Sequence, residues 1–156
     1  EAQYEAYNLY LYYHKIFSQI PLKYNLNIEA QKSEDILFSS EAFYAGGEYS
    51  VRGFKEEYIQ GDSGFYARND FTLNKNLAPY MKLNNSSLNT SLFFDYGLTK
   101  ANIDDKNYQV SGAGIKVNFY HKLFSANITY SKALKIPVTI AENEVIYAKI
   151  SKAISF

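Results

Sequence analysis

The feature that most constrains this chain is a period-two alternation of apolar and polar residues, repeated in segments of about ten residues. Strand side chains point alternately to opposite faces, so each segment carries one greasy side and one polar or small side. In the last segment Ile146, Ala148, Ile150, Ile154 and Phe156 share a face, interrupted by Lys152, while Val145, Tyr147, Lys149, Ser151, Ala153 and Ser155 take the other. The same rule separates Phe124, Ala126, Ile128 and Tyr130 from Ser125, Asn127, Thr129 and Ser131. It also separates Tyr24, Leu26 and Ile28 from Lys23, Asn25, Asn27 and Glu29. Strands are expected at about 4–17, 22–33, 64–74, 88–99, 108–121, 123–134 and 144–156, with turns around Pro21, His121-Lys122 and Ala141-Glu142-Asn143. Helix signals are nearly absent.

Segments of this length match a tilted membrane strand. A soluble β-sandwich also alternates, but its strands average about five or six residues, with more Gly and Pro between them. Three prolines in 156 residues favour the membrane barrel. An odd strand count leaves an unpaired edge, whereas single-chain bacterial barrels close with an even number, so about seven strands read as the later part of a larger barrel. The 16 Tyr and 11 Phe, with no Trp, suit half-wet apolar surfaces such as interfacial belts.

Other classes are disfavoured. No run approaches the roughly 20 apolar residues of a spanning helix. Glu1-Ala2-Gln3-Tyr4 has neither the basic start nor the hydrophobic stretch of a signal peptide, and a start on Glu rather than Met is expected of a fragment or processed chain. The 16 basic and 16 acidic residues cancel, so there is no basic field for nucleic acid. Without cysteine there is no disulfide scaffold, thiolate zinc site or cysteine nucleophile. His14 and His121 lack partners at metal-ligand spacing and no phosphate-binding glycine loop is present, so neither a metal nor a nucleotide cofactor is expected.

One connection breaks the rhythm: a loop at about 35–63, with glycines among charges and too many apolar and aromatic residues for a good disordered tract. It contains Phe43-Tyr44-Ala45-Gly46-Gly47-Glu48-Tyr49-Ser50-Val51-Arg52-Gly53-Phe54, then Gly61-Asp62-Ser63-Gly64-Phe65-Tyr66-Ala67-Arg68-Asn69-Asp70. Further on stands Phe93-Phe94-Asp95-Tyr96-Gly97. Together these resemble the Gly-Gly, Val-Arg-Gly-Phe, Gly-Asp-x-Gly, Arg-Asn-acidic and Phe-x-Asp-x-Gly elements of the two-partner secretion transporters, the haemolysin secretion/activation family. Asp70 departs from the family's usual Glu.

The resemblance covers about Tyr4 to Phe156 and implies the C-terminal seven strands of a sixteen-stranded outer-membrane barrel, residues 1–156 forming one piece of it, with the long loop folded back into the lumen. It implies a Gram-negative outer-membrane pore that secretes, and in some members activates, a partner exoprotein such as a haemolysin or adhesin, and that performs no covalent chemistry. Its expected partners are the secreted polypeptide, outer-membrane lipid and, during biogenesis, the barrel-assembly machinery that reads a terminal aromatic such as Phe156.

Arg52 is the loop arginine whose planar fork could grip a wall carboxylate. Period two puts Asp95 on the polar face with Phe93, Ser91 and Asn89, opposite Leu92, Phe94 and Tyr96, which agrees with the partner that the resemblance implies, Asp95 with Phe93 and Gly97 beside it. Gly46, Gly47 and Gly53 would let the loop turn sharply, Val51 belongs to the same motif, and Phe54 would exclude water from the pair. Arg68 and Asp70, on the polar face of their strand, would extend a polar network beneath the loop. Two alternatives stay open within β-rich architecture: a barrel-assembly insertase of the same superfamily, and a soluble adhesin or binding module. Gly61-Asp62-Ser63-Gly64 also matches the local sequence around a serine-protease nucleophile, preceded by His14 and Asp35; a four-residue match without geometry is weak support for catalysis.

Overall fold

In the computed structural model, which describes residues 4–55, 57–83, 85–137 and 144–152, the alternating segments become strands. They are β1 (Ala6–Ile16), β2 (Leu22–Ser33), β5 (Ser63–Leu73), β6 (Ser86–Ala101), β7 (Lys106–His121), β8 (Phe124–Lys135) and β9 (Glu144–Ser151). They pair antiparallel in a single seven-stranded sheet in the order β1-β2-β5-β6-β7-β8-β9. Each strand neighbours the next long one in sequence, the up-and-down arrangement that short turns allow. The expected turn at Ala141-Glu142-Asn143 and the chain end at Phe156 lie outside the described residues.

Alternation sorts the two faces as expected. On β6, Ser91, Phe93, Asp95, Gly97 and Thr99 are buried, while Leu92 and Phe94 between them are 60% and 45% exposed. Ile128, Ile146 and Ile150 continue that exposed apolar face across β8 and β9. Among the described residues no second sheet covers it, which sets the molecule apart from a two-layer sandwich.

The buried face is covered by the chain's own loop. Between β2 and β5 the backbone leaves the sheet, forms a small antiparallel hairpin of β3 (Phe43–Ala45) and β4 (Ile59–Gly61), and lies back over it. The sequence pattern gave this stretch as irregular; strands of three residues are too short to show alternation. The core is made where loop meets sheet: Phe43, Ala45, Val51, Phe54 and Ile59 pack on Tyr66, Val110 and Ala133. Burying one such large side chain contributes roughly 1.5–3 kcal/mol. A 3-10 turn at Ala78–Met81 sits in the connection between β5 and β6.

The loop's two ends are stapled together. Asp62 accepts hydrogen bonds from the backbone N–H of Leu37 at 2.7 Å and of Asn102, in the β6–β7 turn, at 2.6 Å. The Asn102 amide in turn donates to the carbonyls of Ser33 and Asp35. Ser63 Oγ accepts from the Ser33 N–H and donates to the Ser33 carbonyl. This is what the Gly-Asp-Ser-Gly segment does, and it disposes of the protease reading. Ser63 is engaged with backbone, while His14 bonds Asn25 at 2.6 Å, eight residues down β1 from the row of Ser33, roughly 25 Å away by strand rise.

Asp62→Ala removes the charged acceptor of two N–H groups. Hydrogen bonds to charged groups contribute about 1.5–3 kcal/mol each. The loop should open, and limited proteolysis between residues 36 and 60 should accelerate while the sheet persists; unchanged cleavage would show that the stem is held by something else.

Candidate functional site

Strand register decides where a loop can sit. Asp95 on β6 lies opposite Arg68 on β5 and opposite Gly112 on β7, and Asp70 lies opposite Phe93. Two carboxylates one step apart on the buried face are therefore bordered on the β7 side by a residue with no side chain. The loop fills that vacancy. A Cβ on Gly112 would run into the Arg52 carbonyl oxygen, and one on Gly97 would come within 2.9 Å of both Ala45 and Val51. Gly114 plays a related part, leaving room for the Phe93 ring, 2.6 Å from where its Cβ would be.

The arginine itself is almost completely sealed, at 2% exposure against 0% for Asp95. Its Nε donates to one Asp95 oxygen at 2.6 Å and Nη2 to the other at 2.8 Å, the two-point grip expected of a guanidinium on a carboxylate. The Arg52 backbone N–H adds a third bond to Asp95 at 3.1 Å. Nη1 and Nη2 also reach Asp70, at 2.8 and 3.2 Å. The guanidinium carbon stands 3.7 Å from the centroid of the Phe93 ring. Burial opposes the guanidinium charge, but the hydrogen bonds and charges of Asp95 and Asp70 outweigh it, so the Arg52 pKa is raised.

The expected Arg52–Asp95 pair is thus present, and Asp70 is a second partner to the same arginine. Arg68 and Asp70 share a face as expected but are put to different uses: Arg68 donates to the Tyr49 carbonyl at 2.8 Å and holds the loop tip. With Arg68 beside Asp95, two cations meet two carboxylates, so the site carries little net charge. Val51 and Phe54 are fully buried on either side of Arg52-Gly53 and keep water out.

Three of the loop glycines adopt positive φ: 136° at Gly46, 104° at Gly47 and 119° at Gly53. Gly53 needs this most, because its backbone presses on β8, where a Cβ would lie 2.9 Å from the Ala133 nitrogen. At Gly46 a Cβ would meet the Glu57 carbonyl at 2.6 Å, so the loop could not cross itself there with a larger residue.

Pattern reading missed Gly112, Gly114, Tyr147 and the Asp62–Asn102 staple. Tyr147 on β9 donates to the Phe54 carbonyl at 2.7 Å, a second anchor just past the arginine. The two strand glycines left a trace in the run Ser111-Gly112-Ala113-Gly114, since Gly inside a strand marks a bulge or close backbone approach. The ladder does slip at Ser111/Gly112. Tyr147 left none, because one inward tyrosine looks like any other.

Gly112→Val puts a side chain where the Arg52 carbonyl now lies. It should lift the loop and lower hydrogen-exchange protection of the Arg52–Phe54 amides by tenfold or more, about 1.4 kcal/mol. Leu92→Val on the exposed face should leave that protection unchanged; equal loss in both would mean that the sheet, not the docking, was disturbed.

Several known proteins resemble this chain. The profile of the family described as haemolysin secretion/activation protein ShlB/FhaC/HecB matches residues 1–119. The outer membrane transporter CdiB of Escherichia coli O6:K15:H31 (strain 536 / UPEC) is 48% identical over 52 residues, covering 33% of this chain and 9% of that protein. CdiB of Dickeya dadantii (strain 3937) is 41% identical over 59 residues, covering 38% of this chain and 10% of that protein. Among solved structures, CdiB from Acinetobacter baumannii superposes with a TM-score of 0.80 at 23% identity, over 97% of this chain and 27% of that one. CdiB from Escherichia coli gives 0.82 at 23% identity, over 96% and 28%. The chain therefore spans just over a quarter of the solved relatives, and the matched segments about a tenth of the curated ones. The relatives are outer-membrane transporters rather than enzymes, and the chain belongs to the haemolysin secretion/activation protein family ShlB/FhaC/HecB of the Gram-negative outer membrane.

Proposed function

We propose that this chain is the C-terminal part of a sixteen-stranded outer-membrane barrel that secretes a partner exoprotein, with the loop between β2 and β5 folded into the lumen and latched there by Arg52. The observation that carries the reading is the combination of a sealed Arg52–Asp95 pair, backed by the half-buried Asp70, on the loop-bearing face with an uncovered apolar face on the other side of the same sheet. A single sheet with one greasy and one polar side is what a barrel wall between lipid and water requires. The loop-bearing face then lines the pore, and Leu92, Phe94, Ile128 and Ile146 meet lipid.

In this reading an extended partner polypeptide threads the lumen past the loop, and its folding outside supplies the driving force. The latch fixes the wall that the polypeptide passes. Members of the family named CdiB point to a partner of the kind those transporters export.

Removing one member of a sheltered pair leaves an uncompensated charge and costs about 3–5 kcal/mol, against about 1 kcal/mol or less for an exposed pair. In the complete transporter, Arg52→Ala, Asp95→Ala and the double variant should each abolish most partner secretion while heat-modifiable barrel remains in the outer membrane, the double being no worse than either single. Normal secretion in all three would refute the latch. Loss of folded barrel would make the cluster chiefly structural.

A further inference from the structure

The loop-bearing face continues past the latch toward the end of the sheet that holds the β1–β2, β5–β6 and β7–β8 connections, and its charge balance changes there. One step beyond the Asp70–Phe93 row, the register aligns Lys23, Thr72, Ser91, Lys116 and Thr129 across five strands. The next row carries Asn89, Asn118, Asn127 and Lys149. These residues share the latch's face by period two, and a polar cavity of about 300 Å³ opens there beneath Arg52 and Arg68.

The carboxylates that the strands themselves place on this face are already committed: Asp70 and Asp95 to Arg52, and Glu29 to the Tyr66 hydroxyl at 2.5 Å. Among the described residues, Lys23, Lys116 and Lys149 make no ion pair. Between them stand hydroxyls and amides, such as Thr72 and Ser91 in mutual contact at 2.8 Å, that can pair with a peptide backbone.

Spacing says what kind of anion fits. Adjacent strands lie roughly 4.8 Å apart, so Lys23 on β2 and Lys116 on β7 are separated by roughly 14 Å, and Lys149 on β9 by roughly 10 Å more. One small anion cannot reach two of these lysines. An extended polypeptide can, with carboxylates about four residues apart at roughly 3.4 Å per residue.

We infer that these two rows form a docking track for an acidic, extended stretch of the exported polypeptide, which reaches Lys23, Lys116 and Lys149 on its way to the loop. The inference rests on the transport reading and adds to it a charge preference and a spacing.

The test uses the complete transporter in planar bilayers. The probes are a Ser/Gly peptide of roughly twelve residues with Asp at every fourth position, the same peptide with Asn instead, and free aspartate at equal carboxylate concentration. The Asp peptide should block the current at much lower concentration than the other two. Lys23→Gln with Lys116→Gln should raise its half-blocking concentration at least tenfold, Lys23→Arg with Lys116→Arg should preserve the block, and Lys100→Gln, at the far end of the sheet, should not alter it. Equal block by the Asp and Asn peptides, equal block by free aspartate, or unchanged block in the double Gln variant would overturn the track while leaving transport standing. A wild-type protein that neither conducts nor secretes would instead bring down the transport reading, and the track with it.

Discussion

A guanidinium removed from water is the constraint around which this molecule is arranged. Burying an unpaired charge costs several kcal/mol, so Arg52 can be sealed only where enough acceptors wait for it. Asp95 and Asp70 supply them from two adjacent strands, and the Phe93 face completes the enclosure. Any displacement of the loop that separates Arg52 from Asp95 leaves a charge stranded on the sheet. The loop's position is therefore set to within a hydrogen-bond length by electrostatics, whereas its apolar contacts alone would tolerate sliding. Phe54 and Val51 contribute burial, and by excluding water they also keep the ion pair from being screened.

The empty spaces matter as much as the charges. Gly97, Gly112 and Gly114 hollow a trough across β6 and β7 into which loop backbone and the Phe93 ring settle. Backbone can approach backbone this closely only where side chains are missing on one side. On the loop, positive φ at Gly46 and Gly53 provides the complementary shape. The outer face has no comparable demand. Its large apolar residues stand apart and exposed, and in the proposed barrel they would meet fluid lipid, which does not require interdigitation.

The likeness to solved CdiB structures at 23% identity shows how little of this fold depends on individual side chains. A sheet of this kind is held by its backbone ladder and by the parity of its alternation, and both survive extensive substitution provided parity is kept. Asp95 illustrates the point from the other direction. A one-residue slip of β6 would carry it to the apolar face and put Phe94 in its place, so register is pinned most firmly where the ion pair lies.

Much was legible in the residues themselves. Period two located the seven long strands to within about two residues at most described ends and sorted their faces, because alternation is a local property that needs no partner to be expressed. The motif residues Arg52 and Asp95 were paired from the resemblance together with the parity of β6. Other features depended on three dimensions. Asp70 as second ligand, Arg68 as anchor of Tyr49, Tyr147 as anchor of Phe54, and the vacancy at Gly112 arise from which strand lies beside which and in what register. Those relations join residues tens of positions apart, and no local pattern encodes them. The sequence by itself determined which side of each strand is polar and which is apolar; only the tertiary structure decided where the loop lands, because that follows from the meeting of one buried charge with two acids brought together by strand pairing.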